Sequence, residues 1–161
     1  MIRIGEQAPD FESPLHTGEH FRLSEQRGKK IVVLYFYPRD FTTNCTKEAC
    51  TFRDYHTDLV DFGAMVIGIS PDDLESHKRF ARVYRLNFPL ASDPSLRVCK
   101  LYGAVWLGGL RIKRVTYVID AAGIVRGVFQ HDILIDRHRT DVQQLLQQLQ
   151  NPSLQQTTES A

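Results

Sequence analysis

The chain has 161 residues, 42% of them hydrophobic and 24% charged, which fits one soluble globular domain large enough for a real core. A formal net charge of +1 leaves no general footprint for nucleic acid, which asks for a clearly basic domain, so small molecules and other proteins are the expected partners. Three cysteines, an odd count in a chain too large to depend on staples, argue against a secreted disulfide framework and for reduced or redox-active thiols.

Residues 1–24 read as entry structure with a weak strand at His20–Leu23 and turns at Ser13-Pro14 and Thr17-Gly18. The opening MIRIGEQAPDF lacks the long apolar core of a signal peptide, so the cytoplasm is the expected compartment. Ile31 to Tyr37, IVVLYFY, is apolar on both faces and β-branched or aromatic throughout. It predicts a strand in the middle of a sheet, is far too short to cross a bilayer, and ends at Pro38, which cannot donate to a ladder. A helix is predicted from Thr43 to Asp61, with Thr42, Thr43 and Asn44 all competent caps. At about 100° per residue, Cys45, Ala49, Phe52, His56, Leu59 and Val60 share its sheet-facing side, and Cys50 lies roughly 140° from Cys45 on the wetter side.

Ala64–Ser70 is the second buried strand, and Pro71-Asp72 opens a second helix reaching about Leu86, with Leu74, His77, Phe80, Ala81 and Tyr84 at helical spacing. A short extended piece at Phe88–Leu90 and a short helix at Ser95–Tyr102, carrying Cys99, follow. Gly103–Lys113 reads as a loop around Trp106, and Arg114–Asp120 with Ile124–Gln130 as a β-hairpin. A last helix spans Ile135 to Leu149, and the polar stretch 151–161 is expected to be a disordered tail after a single domain of residues 1–150. A β-α-β crossover makes a parallel pair and the hairpin adds antiparallel strands. The expected fold is therefore α/β, a mixed central β-sheet flanked by α-helices, the thioredoxin-like arrangement.

Two of the three cysteines, Cys45 and Cys50, fall at the first strand-to-helix junction. A thiol reacts as its thiolate, and the first turn of a helix offers positive potential and unpaired N–H donors. A nearby cation would add to this, with Arg39, Arg53 and Arg114 as candidates. Cys45 is thus read as a nucleophile; the plainer alternative is a small apolar residue under the sheet. Cys99, among Leu96, Val98 and Leu101, reads as buried and inert, with a redox role as its alternative. Glu48 is either a partner in capping or proton transfer or a solvated helix charge. His56 and the aromatics Phe36, Tyr37, Phe52 and Trp106 read as core or rim. There is no C-x-x-C pair, and the histidines show no ligand spacing with the cysteines, so no metal site is expected.

The run P-R-D-F-T-T-N-C, Pro38 to Cys45, fits the P-x-x-x-T-x-x-C pattern of peroxiredoxins. Together with G-E-x-A-P-D-F at Gly5–Phe11, I-G-I-S at Ile67–Ser70, F-P-L-x-S-D-P at Phe88–Pro94 and R-V-T-Y-V-I-D from Arg114, the chain resembles the peroxiredoxin Q, or bacterioferritin comigratory protein, subgroup over nearly its whole length. The resemblance implies a thiol-dependent peroxidase of antioxidant defence acting on hydrogen peroxide and alkyl hydroperoxides, with an external thiol reductant, thioredoxin or a similar dithiol, and no cofactor. By the same resemblance Cys45 is the peroxidatic cysteine and Thr42 hydrogen-bonds both thiolate and peroxide. Pro38 shields the sulfenate, Arg114 stabilises the thiolate and orients the peroxide, and Cys50 is the resolving cysteine of a Cys45–Cys50 disulfide. A monomer is implied, with a dimer through the Trp106 loop as the alternative. The chain departs from the subgroup where T-P-G-C becomes Thr42-Thr43-Asn44-Cys45, which frees the backbone there without removing a catalytic group.

A Cys45–Cys50 bond makes a physical demand. Residues five apart in an α-helix have Cα atoms roughly 8–9 Å apart, beyond the disulfide limit of about 7 Å, and the helix must unwind between about Asn44 and Phe52. The same residues admit two rivals. A disulfide oxidoreductase would want a cysteine where Thr42 stands, and a redox sensor would oxidise without sustained turnover.

Overall fold

The computed structural model describes residues 1–130 and 135–150; the 151–161 stretch, expected as a tail, lies outside the described residues. A small antiparallel pair, β1 (Glu12–Pro14) with β2 (His20–Arg22), opens the chain. The central sheet has five strands: β3 (Ile31–Phe36), β4 (Ala64–Ser70), β5 (Leu90–Ser92), β8 (Val115–Ile119) and β9 (Val125–Phe129), in the order β5-β4-β3-β8-β9. β3 runs parallel to β4, and β4 to β5, while β8 and β9 join antiparallel on the other flank. The mixed sheet is the one expected.

β3 shows why its sequence is apolar without alternation. Successive side chains of a strand point to opposite faces. Val32, Leu34 and Phe36 enter one core with Phe11, Phe21, Ile69, Tyr102 and Tyr117. Val33, Tyr35 and Tyr37 enter the other with Cys45, Phe52, Phe80 and Leu90. The second core is covered by α1 (Thr43–Asp54), α3 (Leu74–Tyr84) and α5 (Ile135–Gln150), from which Val142 and Leu146 are fully buried. The first is covered by the N-terminal segment and by α4 (Arg97–Leu101), which carries Cys99.

The helix expected over Thr43–Asp61 is two. It breaks at Tyr55 (φ −111°, ψ 19°), and α2 (His56–Asp61) follows with a different face inward. Tyr55 is buried, with its ring 5.6 Å from Phe52. Leu59 stays in the core, His56 is only half-buried and Val60 is exposed. The large ring is accommodated in the core at the expense of helix continuity. The second helix begins three residues later than expected, because Asp73 is its N-cap and accepts from Ser76 N–H at 2.8 Å. The loop expected at Gly103–Lys113 contains a small antiparallel pair, β6 (Val105–Trp106) with β7 (Arg111–Ile112).

Cys99 is fully buried, and its backbone N–H donates to Asp93 Oδ2 at 2.8 Å. Burial, reinforced by the Asp93 carboxylate, pushes its thiol far above the ordinary cysteine range. The burial expected of Cys99 is present.

Candidate active site

Cys45 is the third residue of α1, three positions after the N-cap Thr42, and is 1% exposed. Its sulfur accepts a hydrogen bond from Arg114 Nη2 at 3.2 Å. Arg114 immediately precedes β8, and the pairing of Phe36 with Val115 brings the start of that strand beside the end of β3. A residue 69 positions away is thereby set against the Cys45 sulfur. Of the three candidate cations it is the one that meets the sulfur. Arg53 donates to Asp54 and to the Tyr84 carbonyl, and Arg39 is exposed.

Behind Arg114 stands Glu48, one turn after Cys45 and 1% exposed, its Oε2 3.2 Å from Nη1. Burial alone would lower the Arg114 pKa, but the charges of Glu48 and Cys45 outweigh it and hold the guanidinium above its ordinary value. The group is a permanent cation with one fork on a carboxylate and the other on sulfur. The guanidinium and the N-terminal end of α1 both meet at Sγ. Glu48 is therefore no solvated helix charge. Its place roughly 60° from Cys45 on the helical wheel was the available hint.

Thr42 Oγ1 donates to the Arg39 carbonyl at 2.9 Å. A hydroxyl has one proton to give, so this differs from the expected bond to the thiolate. The side chain must release Arg39 before donating to sulfur or peroxide. Pro38 lies exposed at the rim. An open groove of about 1130 Å³ reaches Thr42 and Arg114, walled by Pro38, Trp106, Leu110 and Ile112 and edged by Arg39 and Arg111. Cys50 is half-buried, farther along α1, and all three thiols are free. The structure thus brings Cys45 and Arg114 together, places Thr42 and Pro38 beside them, and leaves Cys50 apart on an intact helix.

No helix of the described residues is long and apolar enough to cross a membrane. Residues 4–128 match the model of the AhpC/TSA family. A bcp-type peroxiredoxin of Coxiella burnetii is 39% identical over 150 residues, covering 88% of this chain and 96% of that one. A chloroplastic peroxiredoxin Q of Populus jackii is 41% identical over 149 residues, covering 92% and 70% respectively. The crystal structure of peroxidoxin BcpB from Mycobacterium tuberculosis superposes with a TM-score of 0.84 at 36% identity, covering 91% of this chain and 97% of that one. A buried cysteine at a helix start on a thioredoxin-like sheet, matched over this length by these relatives, has one reading: the chain belongs to the AhpC/TSA family, on its peroxiredoxin Q branch.

Proposed function

We propose that the protein is a thiol-dependent peroxidase in which Cys45 is the peroxidatic residue. The observation that carries the reading is the 3.2 Å contact between Arg114 Nη2 and Cys45 Sγ, backed by the buried Glu48. The Cys45 thiolate attacks the distal oxygen of ROOH, the O–O bond breaks, and the leaving oxygen takes a proton to depart as ROH or water. Sulfur, now a sulfenic acid, has lost two electrons and the peroxide has gained them. Negative charge moves from sulfur to the leaving oxygen in the transition state, and donors fixed before the reaction favour that state. Arg114 is such a donor, the first-turn N–H groups of α1 are others, and Thr42 joins them on turning from Arg39. Pro38, at the rim, limits access to the sulfenate.

Cys50 then attacks the sulfenic sulfur, expels water and forms the Cys45–Cys50 disulfide. This requires α1 to open, since both thiols are held on different faces of one helix. A dithiol of the thioredoxin type returns both cysteines to the thiol state. Sulfur carries both electrons throughout, so the cycle calls for no prosthetic group. The groove, apolar on its walls, admits alkyl hydroperoxides as well as hydrogen peroxide. Residues 1–150 suffice for this chemistry in a monomer acting in the cytoplasm.

The test is a peptide map of the reduced protein after one equivalent of hydrogen peroxide without reductant. A Cys45–Cys50 linkage with Cys99 free is the expected result. A stable Cys45 sulfinic acid with Cys50 untouched would make this a one-cysteine enzyme, and three unmodified thiols would refute the peroxidase reading.

A further inference from the structure

The nucleophile reaches its place through the loop of residues 38–41 between β3 and α1, and that loop is held from α3. Asp40 is 4% exposed. Its Oδ1 accepts from the Tyr37 hydroxyl at 2.6 Å, and its Oδ2 accepts from Ser76 Oγ at 2.8 Å and lies 2.7 Å from His77 Nδ1. Its own N–H donates to Asp72 Oδ2 at 2.8 Å. His77 is fully buried, with Nε2 3.0 Å from the Ala91 carbonyl. A carbonyl oxygen only accepts, so Nε2 carries a proton. One further proton lies between Nδ1 and Oδ2, and on either atom it leaves the pair neutral overall. Asp40, Asp72 and His77 place ligand atoms within 4.8 Å of one another, but both imidazole nitrogens already face Asp40 and the Ala91 carbonyl.

The next residue is clamped by the same helix. Phe41 has φ +65°, a conformation unfavourable for a bulky side chain. Its ring sits edge-on to Phe80 with centroids 5.1 Å apart, under the Arg79 guanidinium at 5.5 Å. Strain of this kind persists only where the surroundings over-determine it, and here α3 supplies them: Arg79 and Phe80 hold the Phe41 ring and, one turn earlier, Ser76 and His77 hold Asp40. Thr42 follows directly, and α1 starts after it.

We infer that His77 and Asp40 are positioning residues for the peroxide reaction, fixing from α3 the loop that presents the Thr42 hydroxyl and the first turn of α1 to the oxygen atoms. The inference rests on the peroxidase reading above. Neither residue touches the reacting atoms. Their effect falls on the step that needs several donors aligned on one O–O bond, and spares reactions that need only the thiolate.

Two isosteric variants separate the links. His77→Asn keeps an amide N–H near the Nδ1 position, facing Asp40; His77→Gln reaches the Nε2 position and gives up Asp40. Two rate constants are measured on each: oxidation of Cys45 by hydrogen peroxide in stopped flow, and alkylation of Cys45 by iodoacetamide, in the Cys50→Ser background. The expected result is a fall of about 10- to 100-fold in the peroxide rate constant of His77→Gln, since small misplacements of reacting groups have effects of that size. Its alkylation stays within about twofold, and His77→Asn recovers most of the peroxide rate. The inference is overturned if His77→Gln, while folded, reacts with peroxide as fast as the parent. It is also overturned if both rates fall together or if His77→Asn loses as much as His77→Gln, because the role is then merely structural. Should His77→Gln fail to fold, Tyr37→Phe removes one donor to Asp40 and keeps the ring. A lowered peroxide rate with unchanged alkylation supports the inference there, and an unchanged peroxide rate overturns it. A parent protein whose Cys45 reacts with peroxide no faster than free cysteine would sink the peroxidase reading itself, a distinct outcome.

Discussion

At Cys45 the local chemistry is set by two side chains that the chain brings from opposite directions, Arg114 from the start of a strand and Glu48 from one turn along the same helix. Arg114→Lys keeps the charge but not the fork, so it cannot meet sulfur and Glu48 together. Stopped-flow oxidation by hydrogen peroxide is expected to slow by about 100-fold, the usual size of losing a preorganised donor. Glu48→Gln leaves a buried guanidinium without its counter-charge. Breaking a buried pair from one side destabilises by about 3 kcal/mol, visible in urea unfolding, and the loosened Arg114 slows peroxide oxidation about tenfold. An unchanged unfolding midpoint would mean that water replaces the carboxylate. Thr42 could be singled out from the P-x-x-x-T-x-x-C pattern and Arg114 from the resemblance of the R-V-T-Y-V-I-D run. The position of the Thr42 hydroxyl on Arg39 was not, since it depends on a loop geometry that no residue pattern reports.

At the level of elements, the break at Tyr55 bounds what oxidation can unwind. α1 is a 12-residue helix with its own end, about the length below which an isolated helix is marginal in water. Its helicity is therefore borrowed from the core it covers. Hydrogen exchange after peroxide treatment is expected to accelerate over Thr43–Asp54 and to stay slow at Leu59 and in β4. Exchange spreading evenly through α2 would show that the two helices open as one. The packing under α1 is tight down to the sheet itself. A Cβ built on Gly68 of β4 would stand 2.8 Å from the Tyr35 ring and 2.9 Å from Leu90, and Tyr35 stacks on Phe52 of α1 at 4.8 Å. Gly68→Ala is expected to destabilise by about 2 kcal/mol, as overpacked cores do, and to loosen α1 through the displaced ring; equilibrium denaturation with exchange at α1 checks both. β3 and β4 were legible nearly to the residue because Pro38 and Gly63 punctuate apolar runs. The Tyr55 break carries neither proline nor glycine, and β6 and β7, two residues each, are too short for any periodicity to show.

For the molecule as a whole, stability depends on pH through groups remote from the thiols. His16 is held below its ordinary pKa first by burial and then by the neighbouring His77, while its Nδ1 accepts from Leu90 N–H; His56 is lowered by burial alone. The unfolded chain thus binds protons more readily than the folded one as pH falls through the ordinary histidine value of about 6.5. Stability is expected to be full above that value and to decline below it. Asp10, where burial pushes the carboxyl up but hydrogen bonds from Ser24 and the charge of Arg22 bring it lower overall, adds a further loss only at more acid pH. Melting temperatures between pH 7.5 and 5 should fall, and the slope should shrink in His16→Gln/His56→Gln; a flat profile in the parent would refute this. The mixed sheet and its two cores followed from strand order and crossover logic. The pairing of distant side chains did not. Arg114 with Glu48 and Asp40 with His77 are separated by 66 and 37 positions, and only the folded register makes them neighbours.

Cys99, sealed between sheet and α4, has a practical consequence. Its sulfur meets solvent reagents only when the whole core opens, whereas buried Cys45 needs only α1 to open and half-buried Cys50 needs less still. In a time course with a thiol-reactive dye, the label on Cys45 is expected to count openings of α1 and the late one on Cys99 to count global unfolding. The protein therefore carries two clocks in one chemical currency, and their ratio compares the looseness required by turnover with the durability of the scaffold.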